Sequence, residues 1–152
     1  MMATRLFPNA PALADALALI RAAFATMDGL IDPPSSIHTL TLADLTAAPS
    51  ELWTLGPPII ACVILTPKPP GLYIGKLAVA ETHRRQGLAK TLIEHAEIRA
   101  RALRLTHLEL QTRIELVGNQ AAFTAMGFVE TARTAHHGYN WPTSITYQRT
   151  LA

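Results

Sequence analysis

The residues with the clearest chemical potential lie where a strand-like run meets a helix-like run. The run from Leu77 to Ala80 is apolar, a short loop with the basic residues 83–85 follows, and an amphipathic pattern begins at Gly87. The first N–H groups of a helix have no partner inside it and lie at the positive end of its dipole. A glycine lets an oxyanion approach the backbone, and Arg84 and Arg85 add fixed positive charge. This pattern predicts a pyrophosphate site; the alternative is a helix start with two solvated arginines.

The hydrophobic pattern places this junction in the second half of a single α+β domain covering residues 1–152. Helical spacing of apolar residues predicts helices at 13–25, after Thr41, at 87–104 and at 119–126. Strands are predicted at 51–55, 59–65, 72–80, 108–112, 128–135 and 144–151, with a weak first strand at 3–7. The three consecutive strands from 51 to 80 are separated by proline-rich turns, which indicates an antiparallel meander within a mixed sheet.

Composition excludes several classes of protein. Of the 152 residues, 13 are Lys or Arg and 11 are Asp or Glu, an excess too small to favour nucleic-acid binding. The single Cys62 excludes an internal disulfide framework and a multi-cysteine zinc site, and no histidine pair has helical i, i+4 spacing, so no metal is expected. The longest apolar run, 59–65, is far shorter than the about 20 residues that span a bilayer. We therefore expect a cytoplasmic protein without nucleic-acid or membrane partners.

Two motifs resemble the GNAT superfamily of N-acetyltransferases. The sequence R-x-x-G-x-A at 84–89, directly after the strand-like 77–79, is similar to the acetyl-CoA signature of that family. The sequence N-x-x-A-F-x-x-M-G-F at 119–128 resembles its second motif, in which an asparagine opens a helix that ends near a glycine. The resemblance covers about residues 72–151 and implies a mixed, mostly antiparallel central sheet of six to seven strands flanked by about four helices.

The resemblance also implies a reaction and a set of contacts. Acetyl-CoA would transfer its acetyl group directly to a small-molecule amine in a ternary complex, and the protein would be a monomer or a homodimer. The backbone amide of Val79 would stabilise the developing oxyanion. Asn119 would touch the pantetheine arm or cap its helix. The implied cofactor-binding residues are Leu77, Ala78, Val79, Arg84, Arg85, Gln86, Gly87, Leu88, Ala89, Asn119 and Phe123.

The clearest departure from the family pattern is Phe123, which stands where many members have a tyrosine credited with protonating the departing thiolate. Phenylalanine has no proton to donate. Tyr139 and Tyr73 are alternative donors, and water is a third. Two smaller departures are the short spacing from Asn119 to its glycine and the Glu81 that replaces a common proline. The rival function is a catalytically weak or inactive acyl-CoA-binding regulatory module.

Two segments are expected to form the acceptor side, namely 31–36 and 136–141. In the first, Asp32 would attract a cationic amine, with Ser35 beside it. In the second, Tyr139 and Trp141 would line the apolar part of the acceptor. The alternative is a rigid proline turn and aromatic rings that cover the edge of the core.

Candidate general bases are the histidines of the second segment and a nearby glutamate. His136 and His137 titrate near neutrality, and adjacent residues of a strand point to opposite faces, so at most one faces the site. Glu115 is the further candidate, with an exposed surface carboxylate as its alternative interpretation.

Overall fold

The computed structural model describes residues 1–152, and its elements follow the predicted order. The helices are α1 (Leu13–Ala25), α2 (Leu88–Ala102) and α3 (Val117–Ala125). The strands are β1 (Thr4–Leu6), β2 (Glu51–Leu55), β3 (Ala61–Lys68), β4 (Gly71–Val79), β5 (His107–Arg113), β6 (Val129–Thr134) and β7 (Ser144–Thr150). Short 3₁₀ turns lie at Ser36–Thr39, Ala43–Leu45 and Glu81–His83.

The seven strands form one sheet in the order β1-β2-β3-β4-β5-β7-β6. Neighbouring strands are antiparallel except β4 and β5, which run parallel because α2 lies in the crossover between them. The predicted α+β class and mostly antiparallel mixed sheet are confirmed. The expected number of helices, about four, is one too high: Thr41 and Asp44 cap each other's backbone N–H groups, but Ala43–Leu45 forms only a 3₁₀ turn before Pro49.

Both faces of the sheet are covered, which explains why its central strands are almost continuously apolar. On one face, α1 buries Leu13, Leu17 and Ile20 of its predicted stripe. On the other face, α2 buries Leu92 and Ala96 together with their neighbours along the same stripe. Each fully buried leucine or isoleucine contributes about 1.5–3 kcal/mol, so the two helices fix the sheet from opposite sides.

The end of α3 follows the glycine signal in the sequence. Gly127 has a φ of +89°, the left-handed region that glycine adopts without strain. The N–H of Phe128 donates to the carbonyl of Phe123 at 3.0 Å, and the N–H of Gly127 donates to that of Thr124 at 3.0 Å. These two bonds are those of a Schellman motif, which turns the chain sharply into β6.

Cys62 lies on β3 and is completely buried. Burial raises the pKa of its thiol to about 12. Because the thiolate is the reactive form, this thiol is chemically inert in the folded protein.

No helix of the chain combines the length and apolar character needed to cross a bilayer.

A buried charged pair joins β2 to α2. The Glu51 carboxylate is 7% exposed and accepts two hydrogen bonds from Arg99, at 2.9 and 2.7 Å, and one from the indole of Trp53 at 2.9 Å. Burial alone raises the pKa of Glu51, but the bonds from Arg99 and Trp53 and the charges of Arg99 and Arg5 outweigh it and lower the pKa below its usual value. The pair therefore stabilises the fold only while the carboxylate is ionised.

We expect Glu51→Gln to lower the free energy of unfolding by about 1.5–3 kcal/mol near neutral pH, because Arg99 loses its charged partner. A carboxylate with a lowered pKa contributes stability above its unfolded pKa and loses it as the pH falls through the folded value. The difference between wild type and variant should therefore shrink as the pH drops below about 4. Urea unfolding monitored at several pH values measures both effects.

The matched control is Glu130→Gln, which removes a carboxylate paired with Arg133 on the surface. This pair is exposed, so we expect little change at any pH. A Glu51→Gln variant as stable as the Glu130→Gln variant at neutral pH would contradict the stabilising role of the buried pair.

Candidate active site

β4 and β5 separate halfway along their length. They pair at only three positions, the last of which is Tyr73 with Glu109, although β4 continues to Val79 and β5 to Arg113. Beyond the last pair, a cleft of about 740 Å³ opens between the two strands. The cleft is within the size range of small-molecule sites, and its walls are strand backbone on both sides.

The backbone of Val79 faces this cleft. The N–H of Ala80 donates to the carbonyl of Ile60 on the β3 side at 2.8 Å. Neighbouring residues in an antiparallel pair alternate in direction, so Val79, which pairs with Ala61, directs its N–H and C=O away from β3. No residue of β5 pairs with Val79, and its polar backbone groups are therefore available to a ligand.

The opposite wall has matching backbone groups. The N–H of Ile114 donates to Thr143 at 3.1 Å, so even-numbered residues of β5 are turned toward β7 and odd-numbered ones toward β4. Gln111 and Arg113 are the odd-numbered residues beyond the last β4 pair. An extended, amide-bearing ligand has strand-like partners on both walls.

A β-bulge interrupts β4 beside the cleft. The register between β3 and β4 shifts by one residue, so that Lys76 and Leu77 together oppose Val63. Lys76 has a φ of +50°, in the left-handed region that a non-glycine residue rarely adopts. Strain of this kind costs about 1–3 kcal/mol and persists only where the surrounding fold imposes it.

The bulge changes the direction of one side chain. Regular alternation along β4 would place Lys76 on the same face as Leu72 and Ile74, against α2. Instead its ammonium lies 5.6 Å from the centre of the Phe24 ring of α1 and 3.5 Å from the Ser36 hydroxyl. The bulge therefore moves a lysine from the core face to the wall of the cleft.

The loop between β4 and α2 presents unpaired amides at one end of the cleft. None of the six successive backbone N–H groups from Arg85 to Lys90 has an acceptor within the chain; the first paired N–H of α2 is that of Thr91, which donates to Gly87 at 3.0 Å. Gly87 has a φ of +75°, and a Cβ built there would meet no atom within 4 Å. Arg84 and Arg85 are exposed and have no carboxylate partner. This end of the cleft can hold a multiply charged oxyanion.

The structure brings nearly all of the predicted cofactor residues to the cleft. Gln86 is the exception, since only its backbone N–H belongs to the unpaired series. The residues that line the cleft are Leu77, Ala78, Val79, Arg84, Arg85, Gly87, Leu88, Ala89, Asn119 and Phe123.

Asn119 does not cap its helix. α3 begins at Val117, and the preceding Leu116 offers no side-chain cap, so Asn119 lies within the first turn. Its amide nitrogen is 3.5 Å from the Thr112 hydroxyl of β5. The capping alternative is therefore wrong, and Asn119 lines the cleft instead.

Phe123 belongs to an aromatic group on the cleft wall. Its ring centre is 6.2 Å from that of Phe128 and 6.3 Å from that of Tyr147. The ring is half-buried by this packing and brings no hydroxyl to the cleft.

Three of the residues predicted for the acceptor side or for catalysis pair with one another instead of lining the cleft. The Tyr139 hydroxyl donates to the carboxylate of Asp32, and the backbone N–H of Asp32 donates to the Glu115 carboxylate at 3.1 Å. The hydrogen bond to Asp32 raises the pKa of Tyr139, with burial and the Asp32 charge adding to it. Trp141 packs edge-on against Tyr139 at 5.3 Å and is 54% exposed. These four residues form a rim outside the cleft.

His136 and Ser35 do line the cleft, whereas His137 is exposed. Nδ1 of His136 contacts the hydroxyl of Thr143, and that hydroxyl also lies 3.4 Å from the carbonyl of Thr134, to which it donates. Which atom donates in the contact between Nδ1 and the Thr143 hydroxyl depends on the tautomer of the ring, and Nε2 has no hydrogen-bond partner within the chain. Burial, and then the nearby Arg113 charge, lower the pKa of His136, while Glu115 partly offsets them.

Sequence reasoning missed Lys76 and Arg113. The guanidinium of Arg113 donates to the carbonyls of Pro33 at 2.5 Å and Pro34 at 3.4 Å, and it lines the cleft opposite Lys76. The signal for Lys76 was a lone charge inside an apolar strand. For Arg113, nothing in the sequence distinguished a site residue from an ordinary charged residue at the end of a strand.

Comparison with known proteins agrees with this geometry. A family model described as the acetyltransferase (GNAT) family matches residues 31–128. No curated protein matches the sequence. Among solved structures, the IAA acetyltransferase from Bacillus cereus is 19% identical with a TM-score of 0.70, and 99% of each chain is covered.

Two further solved structures share the fold. The ribosomal-protein-S18-alanine N-acetyltransferase from Escherichia coli is 19% identical with a TM-score of 0.70, covering 98% of this chain and 94% of its own. A GNAT family acetyltransferase from Elizabethkingia anophelis with acetyl-CoA bound is 20% identical with a TM-score of 0.70, covering 99% and 97%.

Proposed function

Since the chain belongs to the acetyltransferase (GNAT) family, we propose that it transfers the acetyl group of acetyl-CoA to the primary amine of a small acceptor within a ternary complex. Family membership confirms the predicted class, an acyltransferase that uses acetyl-CoA. The acceptor and the roles of individual residues are our proposal.

The observation that carries the proposal is the series of unpaired amides at the start of α2. Six N–H groups, with Arg84 and Arg85 beside them, suit the charge and size of a pyrophosphate. Gly87 leaves the space that the phosphate oxygens need. These features suit the pyrophosphate of coenzyme A.

The open backbone of β4 and β5 suits the pantetheine arm, which carries amide groups of its own. Val79 offers its C=O to an amide N–H of such an arm, in the manner of an added strand. Held in this way, the thioester would lie deeper in the cleft than the pyrophosphate. We assign to the Val79 N–H the stabilisation of negative charge on the thioester oxygen.

Acetyl-CoA supplies an activated acyl group. The amine attacks its carbonyl carbon, and the coenzyme A thiolate departs. The ammonium form of the acceptor must lose one proton to become the neutral amine that attacks. The nitrogen loses a second proton as the amide forms. Nε2 of His136 has no hydrogen-bond partner within the chain, and burial lowers the pKa of the ring, which favours the neutral form that a base requires. We assign His136 the role of general base.

The coenzyme A thiolate either receives a proton as it departs or leaves as the anion. Phe123 cannot supply one, whereas Tyr73 lines the same cleft, and burial, with the Glu109 charge, raises the pKa of its phenol so that it stays protonated. We assign Tyr73 the donor role. Tyr139, with Asp32 and Glu115, is proposed to hold the wall at 31–36 in place, since its hydroxyl is already engaged.

The second candidate function is an acyl-CoA-binding module without turnover, and Phe123 is the observation that favours it. Both candidates require acetyl-CoA binding, and only the enzyme releases free coenzyme A when an amine is present.

We expect acetyl-CoA to raise the melting temperature of the wild type. Binding at a hundredfold excess over Kd adds about 2.7 kcal/mol, which corresponds to a shift of about 5–10 °C for a chain of this size. Gly87→Glu should abolish the shift, because it places a carboxylate among the amides that would hold the pyrophosphate. Differential scanning fluorimetry measures both.

Two further variants separate charge from backbone strain. Gly29→Glu places a carboxylate at an equally open glycine, φ +81°, outside the cleft, and it should keep the acetyl-CoA shift. Gly87→Ala has the same unfavourable left-handed backbone as Gly87→Glu without the carboxylate, so it should reduce the shift less than Gly87→Glu does. A wild type that shows no shift at millimolar acetyl-CoA would overturn the cofactor assignment.

Thiol release across a panel of primary amines distinguishes the enzyme from the binding module. We expect amine-dependent release of coenzyme A by the wild type and a large loss of release in Gly87→Glu. Thermal stabilisation by acetyl-CoA without amine-dependent release from any acceptor would favour the binding module.

The pH dependence of kcat/KM tests the role of His136. A base with a lowered pKa stays active to lower pH, so the acidic limb should lie below about 6.5, the ordinary value for histidine. His136→Gln should lower kcat by about a hundredfold and remove that limb. An unchanged limb in His136→Gln would show that another group is the base.

A further inference from the structure

The cleft is lined by cations and by no carboxylate. Arg84, Arg85 and Lys90 are grouped at the end where α2 begins, and Lys76 and Arg113 lie at the other end. No Asp or Glu side chain lines the cleft. The phosphates of coenzyme A would neutralise the first group of cations. The second group would still have no counter-charge.

Lys76 and Arg113 reach the same short segment from opposite strands. Lys76 is 3.5 Å from the hydroxyl of Ser36, and Arg113 donates to the carbonyls of Pro33 and Pro34. The Arg113 charge is near enough to act on the pKa of Lys76, and both side chains line the same cleft. Neither forms an ion pair with a carboxylate.

The two acids of the outer rim, Asp32 and Glu115, pair with neither cation. The Asp32 carboxylate accepts the Tyr139 hydroxyl, and the Glu115 carboxylate accepts the N–H of Asp32, both on the outer rim. Burial, and then the charge of Arg113, lower the pKa of Lys76, which shows that its positive charge is unfavourable there without a partner. The bulge at Lys76 nevertheless directs this charge into the cleft.

We propose that the acceptor amine carries an anionic group, a carboxylate or a phosphate, and that Lys76 and Arg113 bind this group. The inference rests on the acetyl transfer proposed above and narrows its substrate class. It replaces the expectation that Asp32 attracts a cationic amine, because Asp32 does not line the cleft.

The arrangement also selects against other amines. A polyamine would bring further positive charge next to two cations and would be repelled. A planar guanidinium matches the geometry of both carboxylate and phosphate, so Arg113 does not distinguish between them. An anion bound at Lys76 fixes one end of the acceptor on the bulged strand that leads to Val79, where the thioester is expected to lie.

The test compares amines in matched pairs that differ by one negative charge. Glycine and phenylalanine are compared with their amides, and phosphoethanolamine with ethanolamine; spermidine is the polycation. The amides are less basic than the free amino acids and hold more neutral amine, so a preference for the acid cannot come from amine reactivity. The steady-state rate of thiol release gives kcat/KM for each.

We expect the anionic member of at least one type of pair to be favoured by about tenfold or more, as for a charge-assisted hydrogen bond. Lys76→Met should remove most of this preference by raising KM for the anionic member of each pair. Lys76→Arg should restore it. The carboxylate and phosphate pairs together tell which anion the site takes.

The matched control is Arg104→Met. Arg104 is an exposed cation that also has a left-handed backbone, with a φ of +60°, and it lies outside the cleft. Its substitution should leave the preference intact. Acetyl-CoA thermal shifts on every variant show that the cofactor end is unaffected.

A preference for neutral amines or spermidine, or an acid preference that survives in Lys76→Met, would overturn the inference while leaving acetyl transfer in place. If no amine in the panel releases thiol, the same pairs are added to the protein loaded with coenzyme A. Stabilisation by the anionic members alone, lost in Lys76→Met, supports the inference, and equal responses to both members overturn it.

Discussion

The separation of β4 from β5 is the constraint on which the rest of the structure depends. Two parallel strands that paired along their whole length would satisfy each other's N–H and C=O groups and leave no room between them. Here pairing ends at Tyr73 and Glu109, and the remaining backbone is open to a ligand. The strands stay together because α2 crosses behind them and packs on both, so the opening does not depend on the ligand. The same crossover delivers the start of α2, with its unpaired amides, to one end of the gap.

The bulge in β4 links this opening to the segment that follows α1. By inserting one residue into the register, it keeps Leu77 and Val79 packed against the α2 face and places Ala78 against α1. It also turns Lys76 toward Phe24 and the segment after α1. A local strain in one strand thus defines both the direction of the Val79 backbone and the position of the Lys76 charge in the cleft. The end of the cleft near α2 is cationic because Arg84 and Arg85 follow one another in the sequence. The part near residues 31–36 is cationic in part because the bulge directs Lys76 into it.

The sequence was sufficient to predict most of the elements and the junction between β4 and α2, because those depend on local patterns. The junction from Leu77 to Ala89 combines strand, glycine loop and helix start within a few residues, and it forms as predicted. The part of the cleft near residues 31–36 depends on contacts between residues far apart in the chain. Asp32 has a side-chain partner 107 positions away, and nothing local to Asp32 indicates that its carboxylate is already engaged. The bulge is equally hidden, since strand periodicity assigns Lys76 to the wrong face.

The buried state of Cys62 has a practical consequence for following this protein in solution. With its only thiol fully covered and its pKa about 12, the folded chain adds no background to an assay that detects free coenzyme A by its sulfhydryl. A cysteine introduced at an exposed position such as Pro34 would be the sole reactive site for a fluorescent label. Such a label would report directly on any movement of the segment 31–36, which Arg113 contacts, when each substrate binds.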